Sequence, residues 1–118
     1  MKLEARKRLR DIADACAAIS RFAAKKLFSD YEADEMFRAA VERKLTIIGE
    51  AFSQLETAEP SVTDTFPELR KIVGMRNRIV HGYDQVDEEL VWDVVQNRVP
   101  LLKMQVEALL EKEPPCAG

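Results

Sequence analysis

The sequence predicts an all-α protein, an up-and-down bundle of four to five helices. Apolar residues recur at steps of three and four over most of the chain, the spacing that places them on one face of an α-helix. Ala, Leu, Glu, Lys and Arg dominate the composition, while Gly and Pro number only 4 and 5 among 118 residues. We therefore expect one helical domain over residues 1–112, followed by a flexible Pro-rich tail over 113–118.

Two long helices are predicted in the first half of the chain. The first covers residues 3 to about 28, with an apolar stripe of Leu9, Ile12, Cys16, Ile19 and Ala23. Ser29-Asp30-Tyr31 interrupts it, and Ser29 or Asp30 can cap the next helix, from about 32 to 57. The stripe of that helix consists of Phe37, Val41, Leu45, Ile48, Phe52 and Leu55, widened by Ala40, Ile47 and Ala51. Such a broad face fits either a subunit contact or a central helix of the bundle.

Two more helices are predicted in the second half, after a loop over 58–64. Thr65 and Glu68 match a capping box, so a third helix begins there and runs to Val80 or His81, before the stop signal Gly82. A fourth helix starts at the N-cap Asp87, with Val86 and Val91 in staple positions. Pro100 lies inside its apolar pattern and should kink or split it.

Charge and cysteine content exclude several classes of protein. The net charge of −3 argues against a surface that coats nucleic acid. The acid-free stretch from Arg70 to His81, and a second basic cluster at the N-terminus, instead favour a confined phosphate site. Cys16 and Cys116 follow no metal or redox spacing. Neither a secretion signal nor a membrane span is apparent, so we expect a cytoplasmic protein. The sequence has no Gly-rich phosphate loop and no His/Cys set that could hold zinc, so we expect no metal site and no cofactor.

The third helix carries the one unusual feature of the pattern. Arg76 lies four residues after Ile72 and four before Val80, within the apolar stripe. A guanidinium on an apolar face needs a partner, because a buried unpaired charge is costly. That partner is a phosphate at a functional site, or else a carboxylate of another helix; a third alternative is that the side chain extends to the surface.

His81, the only histidine, is the side chain best able to shuttle protons near neutral pH. It lies about 140° from Arg76 on a continuous helix, so the two converge only if the helix ends near His81 or if two subunits pool their sites. The alternative to a catalytic role is a structural one, in which His81 caps the end of the helix or packs in the core. Tyr83 would sit beside the imidazole in an extended segment, or be a packing residue.

Residues 75–83, Met-Arg-Asn-Arg-Ile-Val-His-Gly-Tyr, resemble the R-x4-H-x-Y motif of the HepT-like toxins in the HEPN superfamily. Three further blocks resemble the same family, namely 40–51 with its Ile-Gly-Glu, 86–92, and 99–102. The resemblance covers roughly residues 8 to 110. Two departures are Phe66-Pro67, where relatives often have Trp, and the added acid Asp84.

The resemblance implies a helical homodimer whose two motifs face one cleft and cleave RNA without a metal. It also implies a MntA-like nucleotidyltransferase antitoxin, as in type VII-like toxin–antitoxin systems, that attaches nucleotides to the motif tyrosine, here Tyr83. We assign acid and base catalysis to His81, phosphate stabilisation to Arg76 and a supporting role to Asn77. The alternatives are a non-enzymatic subunit that docks on a nucleotidyltransferase, and a plain dimeric bundle whose charged motif only stabilises the interface.

Overall fold

The computed structural model describes the backbone of residues 1–81 and 87–112 and the side chains of 1–74 and 87–112. This part of the chain contains helices and turns but no strand, which confirms the all-α prediction. The helices are α1 (Leu3–Ala23), α2 (Phe28–Ala33), α3 (Glu35–Ala58), α4 (Pro60–Thr63), α5 (Pro67–His81), α6 (Glu88–Asp93) and α7 (Val99–Lys112), with a π-helical turn, Val94–Arg98, joining the last two.

The long helices alternate in direction, as expected for an up-and-down bundle. Helix α1 packs against α3, and α3 packs against α5. The start of α1 meets the end of α3, where Lys2 Nζ donates to the carbonyl of Ala58 at 3.0 Å. The start of α5 meets the same end of α3, where Arg70 lies 3.4 Å from Glu56. Neighbouring helices are therefore antiparallel.

The segment 88–112 closes the bundle. Its helix α7 packs on α1, and the π turn contacts both α1 and α5. Near the start of α1, Arg6 Nη1 donates to the carbonyl of Leu110 at 3.2 Å, so the end of α7 lies beside the start of α1. None of the helices among the described residues is long and apolar enough to cross a membrane.

The first helix ends earlier than predicted. It stops at Ala23 rather than near residue 28, and Lys25 adopts the left-handed region with φ 61°. Residues Phe28–Ala33 form α2, where the sequence predicted the end of the first helix, a break over 29–31 and the start of the next helix. The physical reason is tertiary. The ring of Tyr31 is fully buried, so the chain turns to bring it into the interior.

The cap of α3 also differs from the prediction. Neither Ser29 nor Asp30 caps this helix. Asp30 accepts a hydrogen bond from the backbone N–H of Leu27 at the start of α2. The N-cap of α3 is Asp34, whose carboxylate accepts from Phe37 N at 3.1 Å. The apolar stripe itself is confirmed, with these members buried: Val41, Leu45, Ile48, Ala51, Phe52 and Leu55.

The predicted capping box at Thr65 is wrong. Its hydroxyl donates back to the carbonyl of Val62 at 2.7 Å, into the single turn of α4 that occupies the expected loop. Helix α5 begins two residues later, at Pro67, because proline lacks an N–H and its fixed φ suits the first helical position. Glu68 is consequently free to pair elsewhere, and it meets Arg98.

The predicted cap of the last long segment is confirmed. Asp87 accepts from Leu90 N at 3.1 Å, whereas Val86 of the proposed staple lies outside the described residues. The expected disruption near Pro100 takes the form of the π turn, in which Val99 N–H donates to the carbonyl of Val94. A widened turn accommodates a proline because the ring of proline crowds the preceding turn of a regular α-helix.

The π turn keeps one face of this segment buried. Val91 and Leu110 are only 1% and 5% exposed although nineteen positions separate them. At about 100° per residue, an uninterrupted α-helix would point these two positions about 100° apart. One extra residue in the widened turn compensates for that rotation, so both side chains lie in the same hydrophobic core.

Cys16 behaves as the small core residue that its place in the stripe predicts. It is fully buried on α1. Burial raises the pKa of its thiol to about 12, with a smaller opposing effect of Lys103. Because the thiolate is the reactive form, this cysteine is inert in the folded chain.

We expect Tyr31→Phe to leave the protein at least as stable as the wild type. The ring packs 5.4 Å from both Phe37 and Trp92, and phenylalanine keeps these contacts. The hydroxyl is buried and has no hydrogen-bond partner among the described residues, so its removal should raise the free energy of unfolding by up to about 1 kcal/mol. Urea unfolding measures this change, and Tyr31→Ala should cost about 3–5 kcal/mol. A loss above about 1 kcal/mol in Tyr31→Phe would show that the hydroxyl has a partner.

Candidate functional site

Helix α5 carries most of the residues that the sequence singles out. Its backbone runs through Arg76 and Asn77 and ends at His81, one of the two end points predicted for it. The side chains of these three residues, and the whole of Tyr83, lie outside the described residues. For Arg76, Asn77 and His81 the structure gives the register of the helix. It also gives the side-chain environment of the first eight residues of α5, 67–74.

One face of α5 is set by burial against α3. Leu69 and Ile72 are fully buried, and Val73 packs partly against the same core. Arg76 follows Leu69 by seven positions and Ile72 by four. Its position therefore lies within about 20–40° of theirs around the helix axis, on the same face of α5. The described part of α5 therefore agrees with the sequence prediction that the Arg76 position falls within the apolar stripe.

A second face of α5 is open in the single chain. Arg70 and Gly74 are exposed, and a Cβ built on Gly74 would meet no atom within 4 Å among the described residues beyond its own helix. Asn77 and His81 continue the same spacing of four, three and four residues, which keeps successive positions on one side of a helix. Arg76 and His81 thus occupy positions about 140° apart around α5.

The cations at the start of α5 are already paired within the chain. Arg70 lies 3.4 Å from Glu56 and 3.3 Å from Asp64, and its guanidinium sits 5.4 Å from the centre of the Phe52 ring. Lys71 lies 3.7 Å from Glu68. Half of the positive patch predicted between residues 70 and 81 is therefore balanced by carboxylates, while the side chains of Arg76 and Arg78, its other two cations, lie outside the described residues.

An ion pair that the sequence did not reveal anchors the start of α5. Arg98 Nη1, at the end of the π turn, donates to Glu68 Oε2 at 2.6 Å. This hydrogen bond is the main reason that the pKa of Glu68 lies below its usual value, with a smaller effect of Lys71. The pair links the helix of the motif to the opposite wall of the bundle. Its partners are thirty residues apart, so no local spacing could have found it.

A second cluster holds the start of α6, the helix that follows the motif. Arg38 on α3 donates to the carbonyls of Tyr31 and Glu32 on α2, and it lies 3.5 Å from Glu88 on α6. Burial raises the pKa of Glu42 nearby, an effect that Arg38 partly offsets. Arg38 thereby joins three helices at the end of the bundle where the chain leaves α5 and re-enters at α6.

The described residues contain no group of three or more acidic, histidine or cysteine side chains placed to hold a metal ion.

Comparisons with known proteins agree on one family. The family model described as "Ribonuclease HepT-like" matches residues 12–109. A protein of Thermococcus cleftensis named "Probable ribonuclease HepT" is 33% identical over 92% of this chain and 98% of its own length. Among solved structures, the tri-AMPylated HEPN toxin of Shewanella oneidensis in complex with MNT antitoxin superposes with a TM-score of 0.70. The match covers 96% of this chain and all of the Shewanella chain, at 19% identity, and shows a common fold.

Proposed function

Because the chain belongs to the ribonuclease HepT-like family, we propose that it is an endoribonuclease, the toxin of a toxin–antitoxin pair that acts on RNA in the cytoplasm. The observation that carries the proposal is that the family match extends over residues 12–109 and so includes the whole of α5 with its R-x4-H motif. Fold alone would not carry it, since one fold hosts many functions.

The chemistry requires two proton transfers and one cation. The 2′-hydroxyl of RNA loses its proton to a base as its oxygen attacks the adjacent phosphorus. The 5′-oxygen then leaves and takes up a proton from an acid, which yields a 2′,3′-cyclic phosphate and a 5′-hydroxyl. His81 supplies the imidazole for these transfers. Arg76 presents a planar donor fork to the phosphoryl oxygens, and Asn77 supports the ribose or the cleft. No step calls for a metal ion.

The proposed active site is composite. The positions of Arg76 and His81 are about 140° apart on α5, which argues against a compact site built from one helix. Two copies of α5 brought together at a dimer axis would line one cleft with both motifs. They would also supply two imidazoles, so that one chain's histidine acts as the base and the other as the acid. The homodimer is therefore part of the proposal.

The proposed partner is a nucleotidyltransferase antitoxin. The Shewanella toxin of the same fold is AMPylated and bound to an MNT antitoxin. By analogy we propose that such an enzyme modifies Tyr83, two residues after His81. Nucleotides attached there would add negative charge and bulk beside the imidazole and would repel the RNA backbone.

The direct test is RNA cleavage by the purified chain in excess EDTA. We expect internal cleavage that leaves 2′,3′-cyclic phosphate ends, and arrested growth when the chain is expressed alone in cells. Full loss of cleavage in EDTA, restored by a divalent cation, would refute the metal-independent mechanism. If the chain leaves RNA intact and cells unharmed but still binds a nucleotidyltransferase, it is the non-enzymatic accessory subunit instead.

We expect Tyr83→Phe to escape neutralisation. Co-expression of the wild type with an MNT-type nucleotidyltransferase should increase the intact mass by whole nucleotide monophosphate units. Tyr83→Phe should show no increase and should remain toxic, because phenylalanine lacks the oxygen that accepts the nucleotide. Tyr31→Phe is the matched control, since Tyr31 is the only other tyrosine and is fully buried. A mass increase that persists in Tyr83→Phe would place the modification at another residue.

A further inference from the structure

An ion pair lies on each of two opposite flanks of the motif helix α5. On one flank, Glu68 Oε2 accepts a 2.6 Å hydrogen bond from Arg98 Nη1 of the π turn. On the other flank, Arg70 lies 3.4 Å from Glu56 of α3. Glu68 and Arg70 are two residues apart, so their positions are about 160° apart around the helix axis. Leu69 between them is fully buried in the core. The two pairs therefore restrain the same helical turn from opposite sides.

The pair of Glu68 with Arg98 is the stronger of these two restraints. Its hydrogen bond is shorter, and its side chains are 19% and 35% exposed, whereas those of Arg70 and Glu56 are 50% and 43% exposed. Short charge-assisted hydrogen bonds are about twice as strong as neutral ones, and solvent weakens ion pairs that are more exposed. The link to the π turn is therefore the one whose loss should most affect how α5 is held.

We propose that Glu68 and Arg98 are positioning residues, which fix the rotation of α5 about its own axis. That rotation decides where Arg76 and His81 project, so this inference rests on the proposed function. Apolar contacts are not directional, and the burial of Leu69 therefore holds α5 against the bundle but resists a small rotation only weakly. A charge-assisted hydrogen bond has a preferred geometry, so turning the helix would strain or break it.

A small rotation of α5 is enough to affect the reaction. Side chains extend about 5–6 Å from a helix axis, so turning the helix by about 10° moves their ends by about 1 Å. A displacement of about 1 Å can lower a rate by about 10²-fold when it misplaces groups that must meet a reacting atom. In this scheme neither Glu68 nor Arg98 touches the RNA, and both act only through the direction of the motif side chains.

The test measures kcat and KM for cleavage of a short RNA by the full chain carrying Arg98→Met, Glu68→Ala or both. Methionine keeps the apolar stem of Arg98, and alanine suits the helix. We expect each single substitution to lower kcat about tenfold and to leave KM within about twofold. The double variant should be no slower than either single one, because both substitutions remove one interaction.

The controls separate positioning from stability. The Tm of each variant should fall by no more than about 4 °C, since partly exposed ion pairs add little to stability, so the kinetics are measured on folded protein. Lys103→Met removes the 2.9 Å ion pair with Glu107 on α7 and is the matched control. It should keep the wild-type kcat.

A second measurement does not depend on cleavage. His81 is the only histidine, so in an untagged chain its imidazole gives an NMR resonance that needs no further assignment. Arg98→Met and Glu68→Ala should each move this resonance by more than its linewidth, and Lys103→Met should not. The spectra are recorded without RNA, so they test the effect of the pair on the motif separately from the nuclease.

The outcomes decide the proposal as follows. Wild-type kcat in the folded single variants overturns it, and so does an unmoved His81 resonance. Losses of kcat that multiply in the double variant also overturn it, because the two residues would then act independently. An equal effect of Lys103→Met would show a general response to lost ion pairs and would overturn it too. If the wild type cleaves no RNA but the resonance moves as expected, the proposed function fails while the positioning of the motif helix is supported.

Discussion

Replacing His81 with alanine is expected to reduce the rate of RNA cleavage by about 10²–10⁴-fold, the usual contribution of a general acid or base. The chain has one histidine, so no neighbouring imidazole can substitute for it. His81 is the last residue of α5 and its position falls outside the apolar stripe of Leu69 and Ile72, so the free energy of unfolding should change by less than about 0.5 kcal/mol. Single-turnover cleavage of a short RNA, with urea unfolding in parallel, measures both quantities.

Two further measurements make this result specific. The pH–rate profile of the wild type should be bell-shaped, with one limb from each of the two His81 imidazoles of the proposed dimer. Arg78→Ala is the control, because Arg78 is one of the four intervening residues of the motif and its position falls off the apolar stripe, and it should retain cleavage within a few-fold. Equal activity of His81→Ala and wild type would exclude His81 as the catalytic acid and base, and would refute the proposed mechanism.

Replacing Ile72 with alanine is expected to lower the free energy of unfolding by about 2–5 kcal/mol. Ile72 is fully buried on α5, between this helix and α3, one turn before Arg76. The substitution leaves a cavity that the bundle cannot close, since Leu69 and the α3 stripe are already packed around it. A loss of this size is a large part of the stability of a small domain.

The matched variant is Ile72→Val, which removes a single methyl group and should cost about 0.5–1.5 kcal/mol. Urea unfolding at equilibrium gives both values. If Ile72→Ala were no more destabilising than Ile72→Val, the packing of α5 on α3 would be looser than the structure shows. Cleavage assays on Ile72→Val then report on the site without the complication of a partly unfolded population.

The long helices could be predicted because each one repeats its apolar residues at helical spacing, and the buried stripes of α1 and α3 agree with that pattern. The errors occurred where tertiary contacts decide. α1 was predicted to continue past Ala23 because nothing local shows that Tyr31 must reach Phe37 and Trp92. Thr65 was predicted as a cap because its spacing to Glu68 matches a capping box. In the structure the helix begins at Pro67, and Glu68 accepts a hydrogen bond from Arg98 instead.

The candidate site divides in the same way. The R-x4-H motif is local, so its residues and their place at the end of α5 could be predicted from the chain alone. The partners that hold this helix could not. Glu68 and Arg98 are thirty residues apart, and Arg38 joins α2 and α6 across α3. Their pairing is fixed by which helices become neighbours, and the repeat spacing contains no information about that.

The π turn has a consequence for comparing sequences. It accommodates one residue more than regular winding needs, between Val91 and Leu110. A homologue without that residue would return to ordinary α-helical winding and would still direct both ends of the segment inward. One-position gaps in alignments are therefore expected within 94–98. Residues on either side of such a gap should keep the same side of the segment turned toward the core.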